Sequence, residues 1–231
     1  MKKKSIPVIL LLAVIITVFL GALTKAQASP QPSATPVPYS QYVTIWAAIN
    51  LGDLATVKDL LKKDPALFDA RDDKGCTLLH KACDKNRKEI VEFLISSGAD
   101  VNAKENDGDT PLIEASEGYL ELVKILVAKG ADLNSRDDDG NTPLHEAASQ
   151  GHTDVAEYLI SKGAEINARN EKGETPLYRA ADNGRLDTVK NLVSRGADFN
   201  LPDFQGNTPS KEARKEGYFD VADFLMKQGS R

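Results

Sequence analysis

Five threonines recur along this chain at a nearly constant interval: Thr77, Thr110, Thr142, Thr175 and Thr208, spaced by 33, 32, 33 and 33 residues. A fixed period of this length means that one small unit is copied and stacked, because so short a unit cannot bury its apolar face alone. The chain therefore reads as a repeat array. The single interval of 32 is a one-residue deletion between Ala115 and Gly118, where "ASEG" stands for the "AASQG" of the following unit. The register recovers at once.

Residues 136–152, "RDDDGNTPLHEAASQGH", show what each copy contains. Asp137 to Gly140 form a turn, since an Asp side chain can fold onto nearby amides and Gly accepts positive φ. The same role falls to Asp72–Gly75, Glu105–Gly108, Asn170–Gly173 and Asp203–Gly206. Thr142 is a good helix N-cap, and Pro143 suits the first helical position, where no amide hydrogen is needed. Leu144, Ala147 and Ala148 make the apolar face of a short helix whose alanines allow close approach of its neighbours. Gly151 ends it in a left-handed conformation. A second helix carries Val155, Ala156, Tyr158, Leu159 and Ile160 and stops at Gly163.

This pattern resembles the ankyrin repeat family. The resemblance rests on T-P-L-H at 142–145, T-L-L-H at 77–80, T-P-L at 110–112 and 175–177, and G-A-D/E-x-N at 98–102, 130–134, 163–167 and 196–200. It covers residues 42–229. It implies an all-α solenoid of helix-turn-helix units with short β-hairpin fingers along one edge, and a non-catalytic role in binding another protein. The units run 42–75 as N-terminal cap, 76–108, 109–140, 141–173 and 174–206 as full repeats, and 207–229 as C-terminal cap. The first unit lacks the turn and the T-P-L-H, and the last has Ser210 and Lys211 where Leu and His are expected. A capping unit needs such a polar outer face.

The N-terminus is of another kind. Lys2, Lys3 and Lys4 precede an apolar run from Ile6 to Leu23, followed by Ala26-Gln27-Ala28. A basic start, an apolar middle and a small-x-small site describe a secretory signal peptide over residues 1–28. The alternative is a retained anchor, because 18 apolar residues approach the length that crosses a bilayer. Residues 29–41 are rich in Pro and Ser and read as an extended linker. Export to the periplasm or medium is expected, or, with residues 6–23 uncleaved, a single-pass protein holding its repeats outside the cytoplasm. The net charge of −5 becomes −9 without residues 1–28, which hold four lysines and no acid. That sign argues against nucleic acid.

Chemistry-bearing constellations are few. His80, His145 and His152 have no metal-ligand spacing, and the first two occupy the T-P-L-H slot, which the family uses for a structural hydrogen bond. Asp137, Asp139, Gly140 and Glu146 match a calcium loop in part, as do Glu105, Asp107, Gly108 and Glu114. Ser135 and Ala103 replace the first carboxylate, however, and Thr-Pro starts a helix inside the would-be loop. Cys76 and Cys83 lie too far apart for a disulfide if Cys83 is helical, by roughly 10 Å. Cys83 is expected buried, and Cys76 is expected as an exposed thiol. No catalytic residue, metal or cofactor is expected.

Function then rests on surface. The expected finger tips are Asp73, Lys74 and Cys76; Asn106, Asp107 and Asp109; Asp138, Asp139 and Asn141; Glu171, Lys172 and Glu174; and Phe204, Gln205 and Asn207. These hold seven acids against two lysines, with a basic row (Arg71, Lys104, Arg136, Arg169) one step back. Such a strip is either a solvated edge or a docking face for a protein with a basic patch. Phe204 is a candidate aromatic anchor, with packing on Tyr218 or Pro202 as the alternative. Tyr178, in the His slot, is read as a partner contact, and Ile113 in the same slot as local repacking. A monomer is expected, working as a scaffold or as a tethered, immunity-type neutraliser of one target.

Overall fold

The computed structural model of the chain describes residues 39–229. The signal peptide, the anchor alternative and nearly all of the linker lie outside the described residues. Helix α1 spans Tyr39–Leu51, so it starts inside the stretch expected to be linker. The last proline of that stretch is Pro38, and nothing after it opposes helix formation. Helix α2 spans Leu54–Lys63 and is followed by a 3₁₀ turn over Pro65–Asp69. Five helix pairs succeed it. They are α3 (Leu78–Asp84) with α4 (Lys88–Ser96), α5 (Pro111–Ala115) with α6 (Leu120–Ala128), and α7 (Pro143–Gln150) with α8 (Thr153–Ser161). The last two are α9 (Pro176–Asp182) with α10 (Leu186–Ser194), and α11 (Pro209–Lys215) with α12 (Phe219–Gly229).

The short helices start where threonine lets them. Thr77, Thr110 and Thr175 have extended backbone, and their hydroxyls accept the amide three residues on, filling one of the orphan donors of the first turn. Pro occupies the first position of α5, α7, α9 and α11. Gly151 ends α7 with φ +86°, a conformation that L side chains resist. The deletion near Glu117 shortens α5 to five residues, and the chain passes through Gly118 at φ +135°.

Each unit packs on the next in both rows: α3 on α5, α5 on α7, α7 on α9 and α9 on α11, and likewise through the second helices. Ala82, Ala115, Ala147, Ala148, Ala180, Ala181 and Ala213 are all fully buried. Alanine here lets the first helices approach closely. The second helices supply volume through Leu94, Leu126, Leu159 and Leu192, each shielded from water and worth about 1.5–3 kcal/mol of transfer free energy. One apolar core therefore runs from Ile45 and Ile49 to Val221 and Leu225. No helix among the described residues is long and apolar enough to cross a membrane.

The fingers depart from the expected hairpins. Among the described residues they form no β-ladder, and a single isolated bridge joins Arg71 to Thr77. The reason is their tightness. Asp137 donates its amide to Asn141 O at 3.1 Å, Gly140 donates to Asp137 O at 3.0 Å, and the chain has already turned back. Gly140 adopts φ +78° to allow this.

Candidate functional site

Finger geometry follows from where the remaining hydrogen bonds go. Each tip donates one amide to a carbonyl of the preceding tip. Asn106 donates to Lys74 O at 2.9 Å, Asp138 to Asp107 O at 2.9 Å, Glu171 to Asp139 O at 2.8 Å and Phe204 to Lys172 O at 2.9 Å. The basic row works at the finger bases. Arg71 donates to Gly75 O and Lys104 O, Arg136 to Gly140 O and Arg169 O, and Arg169 to Gly173 O and Pro202 O. Lys104 Nζ donates to Arg136 O, so three guanidinium groups and one ammonium together tie each finger to the next.

Between the first two fingers and the first helices lies a groove of about 620 Å³. The first finger contributes Asp72, Asp73 and Lys74, and the second Glu105, Asp107 and Asp109. Helix α3 adds His80, Lys81 and Asp84, and the far wall carries Glu114 of α5 and Glu117 just beyond it. Eight carboxylates thus face two lysines, and Lys81 is already paired with Asp84 at 2.9 Å. Asp84, Glu114 and Glu117 were not among the residues expected from sequence. The signal was nevertheless present: Asp84 and Glu117 stand one period apart near the ends of equivalent helices.

The groove carries more negative charge than its surroundings can hold. Burial, and then repulsion from Asp137, Glu105, Glu146 and Asp107, pushes Asp109 up to about 7. Glu114 is pushed up to about 7 by burial and then by Glu117, Asp109, Asp84 and Glu105. Glu117 is raised for the same kinds of reason. His80, beneath the groove, is buried and its pKa is lowered by desolvation, so it brings no cation. A ligand that carried positive charge would relieve the repulsion.

The expected site residues divide clearly. Asp73, Lys74, Asn106, Asp107, Asp138, Asp139, Glu171, Lys172, Phe204 and Gln205 are exposed along the tips. Asp109, Asn141 and Glu174 are half-buried. Asn141 receives the Asn170 amide at 2.9 Å, and Glu174 accepts from Asn170 and Arg179, so both side chains serve the stack. Phe204 remains 68 % exposed. The Arg169 guanidinium sits over its ring, 4.7 Å from the centroid. That contact stiffens an aromatic side chain still open to solvent.

Two expectations are corrected. Tyr178 is not a partner contact: it is only 3 % exposed, and its hydroxyl donates to Asp203 Oδ2 at 2.9 Å. It substitutes for the missing histidine by reaching the next finger. Cys76 is not an exposed thiol: it is 8 % exposed and its Sγ lies 3.3 Å from Glu105 Oε2. Burial, and then that hydrogen bond, pushes its thiol up to about 12. Cys83 is fully buried as expected, and both cysteines are free. At Ile113, where no ring can bridge units, Thr110 Oγ1 meets Ser135 Oγ at 3.2 Å.

Among the described residues one acidic trio, Asp182, Glu212 and Glu216, holds carboxylate oxygens within 4.8 Å of one another. Protein cations already answer it: Lys215 lies 2.5 Å from Glu212 and 3.4 Å from Glu216, and Arg179 is 3.8 Å from Asp182.

Comparison with known proteins agrees with this architecture. Human protein phosphatase 1 regulatory subunit 27 is 54 % identical over 64 residues, which cover 28 % of this chain and 41 % of that protein. The serine/threonine-protein kinase VIK of Arabidopsis thaliana is 41 % identical over 71 residues, covering 31 % of this chain and 16 % of the kinase. A putative ankyrin repeat protein of fowlpox virus, FPV219, is 56 % identical over 36 residues, covering 16 % of this chain and 8 % of its own length. The chain spans less than half the length of each of these relatives. The family model for ankyrin repeats, in three copies, matches residues 44–137, 103–170, 118–203 and 168–231. With threonine-capped helix pairs stacked in register over the same span, the chain belongs to the ankyrin repeat family.

Proposed function

We propose that this protein is an exported, non-catalytic docking module that holds a basic segment of a partner protein in the groove between its first two fingers. Ankyrin repeats serve as scaffolds for protein–protein interaction, and one relative is by its name a regulatory subunit. The observation that carries the finer reading is the groove itself, with eight carboxylates, two lysines and two acids raised to about 7 by burial and then by their neighbours. Arginine or lysine from a partner would occupy the space those charges surround, and its attraction would speed association more than it deepens affinity. Asp138, Asp139 and Glu171 extend the same sign along the tips, and exposed Phe204 offers an apolar end point. Export is supported by Lys2–Lys4, the apolar run Ile6–Leu23 and Ala26-Gln27-Ala28, all outside the described residues.

The test uses the full-length chain and a short fluorescein-labelled peptide of alternating arginine and serine. Binding should weaken steeply from low to high ionic strength. The double variant Asp73→Lys, Asp107→Lys should bind about tenfold more weakly, with an unchanged melting temperature. Binding indifferent to salt would remove this reading. N-terminal sequencing of the mature protein tests export, with a start near Ser29 expected.

A further inference from the structure

The junction between the first and second units differs from the three that follow. There, Asn102, Asn134 and Asn167 accept the amides of Asp132, Glu165 and Asp198 from the next unit, at 2.8, 2.9 and 2.9 Å. These staples close the seam just beyond the C-terminal ends of the second helices. One period upstream of Asn102 stands Asp69, and among the described residues no such bond joins it to the unit that follows. The backbone differs as well. Gly98, Gly130, Gly163 and Gly196 turn the later units with positive φ, whereas the first unit has Pro65 at that register and leaves α2 through a 3₁₀ turn.

The result is an open seam, a groove of about 660 Å³ behind the second helices. Leu61, Pro65 and Phe68 line one side and Phe93 of α4 the other. Lys58 lies over the Phe93 ring, 5.2 Å from its centroid, and Lys62 stands exposed beside it. Among the described residues neither lysine has an ion-pair partner, whereas the adjacent Lys63 is bound to Asp59 at 2.6 Å. Two cations without an ion-pair partner thus lie beside two half-buried aromatic rings. This groove shares no residue with the acid-lined one and has the opposite charge.

We propose that this groove is a second docking surface, taking an acidic segment of a partner protein that carries an apolar or aromatic anchor. The anchor would enter between Phe68 and Phe93, and flanking carboxylates would meet Lys58 and Lys62. Charge complementarity selects this occupant. A basic segment would meet Lys58 and Lys62 as like charges beside the rings, and the acidic finger groove already suits it better. A membrane surface fits poorly, because anionic lipid is held by clusters of about four to eight basic residues. Here there are two, with Asp69 in the lining and Glu89 and Glu92 exposed on α4. The inference does not depend on what the finger groove binds.

The experiment titrates the full-length chain into a fluorescein-labelled peptide of alternating aspartate and leucine with one central phenylalanine. The same peptide with lysine for aspartate, and vesicles of phosphatidylglycerol in phosphatidylcholine, run in parallel. Saturable binding of the acidic peptide is expected, weakened about tenfold in Lys58→Glu, Lys62→Glu and unchanged in Asp73→Lys, Asp107→Lys. Both lysines are exposed, so the melting temperature should not move; Phe93→Leu supplies a second variant that removes the ring at similar volume. The proposal fails if the acidic peptide does not bind or if its binding ignores the lysine reversals. It fails equally if vesicles bind through Lys58 and Lys62 in place of the peptide.

Discussion

His145 Nε2 lies 3.1 Å from the backbone carbonyl oxygen of Glu174, the last residue of the next finger. Its other ring nitrogen, Nδ1, lies 3.1 Å from the Thr142 amide, which can only donate. Nδ1 is therefore the acceptor and Nε2 carries the proton. One neutral ring caps its own helix and fastens its unit to the following one. Burial holds its pKa down at about 4, in keeping with that role.

His145→Ala should destabilise the chain by about 2–4 kcal/mol, since it empties a buried site and leaves both the Thr142 amide and the Glu174 carbonyl unpaired. Urea unfolding followed by circular dichroism measures the loss. A cost under about 0.5 kcal/mol would mean the ring merely fills space.

Gly140→Val should cost about 2 kcal/mol or more. The residue sits at φ +78°, and a Cβ there would come within 2.9 Å of the Glu171 amide nitrogen, the atom that bonds to the preceding finger. Hydrogen exchange at Glu171 should quicken relative to Phe204, where the neighbouring finger is untouched.

Tyr178→Phe should lower stability by about 1–3 kcal/mol through loss of the hydroxyl bond to the Asp203 carboxylate. It should leave peptide binding unaltered, because Tyr178 is buried. Parallel melting and fluorescence titrations separate the two effects, and weakened binding at intact stability would restore a contact role.

Stability should rise as pH falls from 8 to 6.5. Asp109 and Glu114 keep their protons up to about 7 in the folded chain, against ordinary values of 3.8 and 4.5. Between those limits the folded state binds protons that the unfolded chain has released, so acidification favours folding. His145 has the opposite sign: its folded value is about 4 against 6.5, so its contribution is present above 6.5 and lost as pH falls towards 4. Asp109→Asn should raise the melting temperature by a few degrees at pH 8 and flatten the trend down to 6.5. Scanning fluorimetry at fixed ionic strength reads both.

The threonine period was enough to locate helix pairs, caps and turns, because each depends on residues within a few positions of one another. What escaped a sequence reading depends on contacts one period away. Tyr178 looks like a surface aromatic until its hydroxyl is seen at Asp203, 25 residues on. Cys76 sits in an exposed-looking turn, yet Glu105 of the next finger covers its sulfur. The groove was half legible: the acidic tips stood out as a charge run, whereas Asp84 stands a full period from Glu117 and joins it and Glu114 only when α3 packs on α5. The unstapled first seam was written as Asp69 in place of asparagine, but its meaning needed the three closed seams for contrast.

The bond that joins each finger tip to the preceding tip runs from a main-chain amide to a main-chain carbonyl, and this separates two kinds of selection. At a tip, nearly any side chain can be exchanged without breaking the bond that holds neighbouring fingers in line. Recognition can therefore drift rapidly at positions such as Asp138 or Glu171, while the alanines and glycines behind them stay under strict steric control. A chain built this way can acquire a new partner without first having to relearn how to fold.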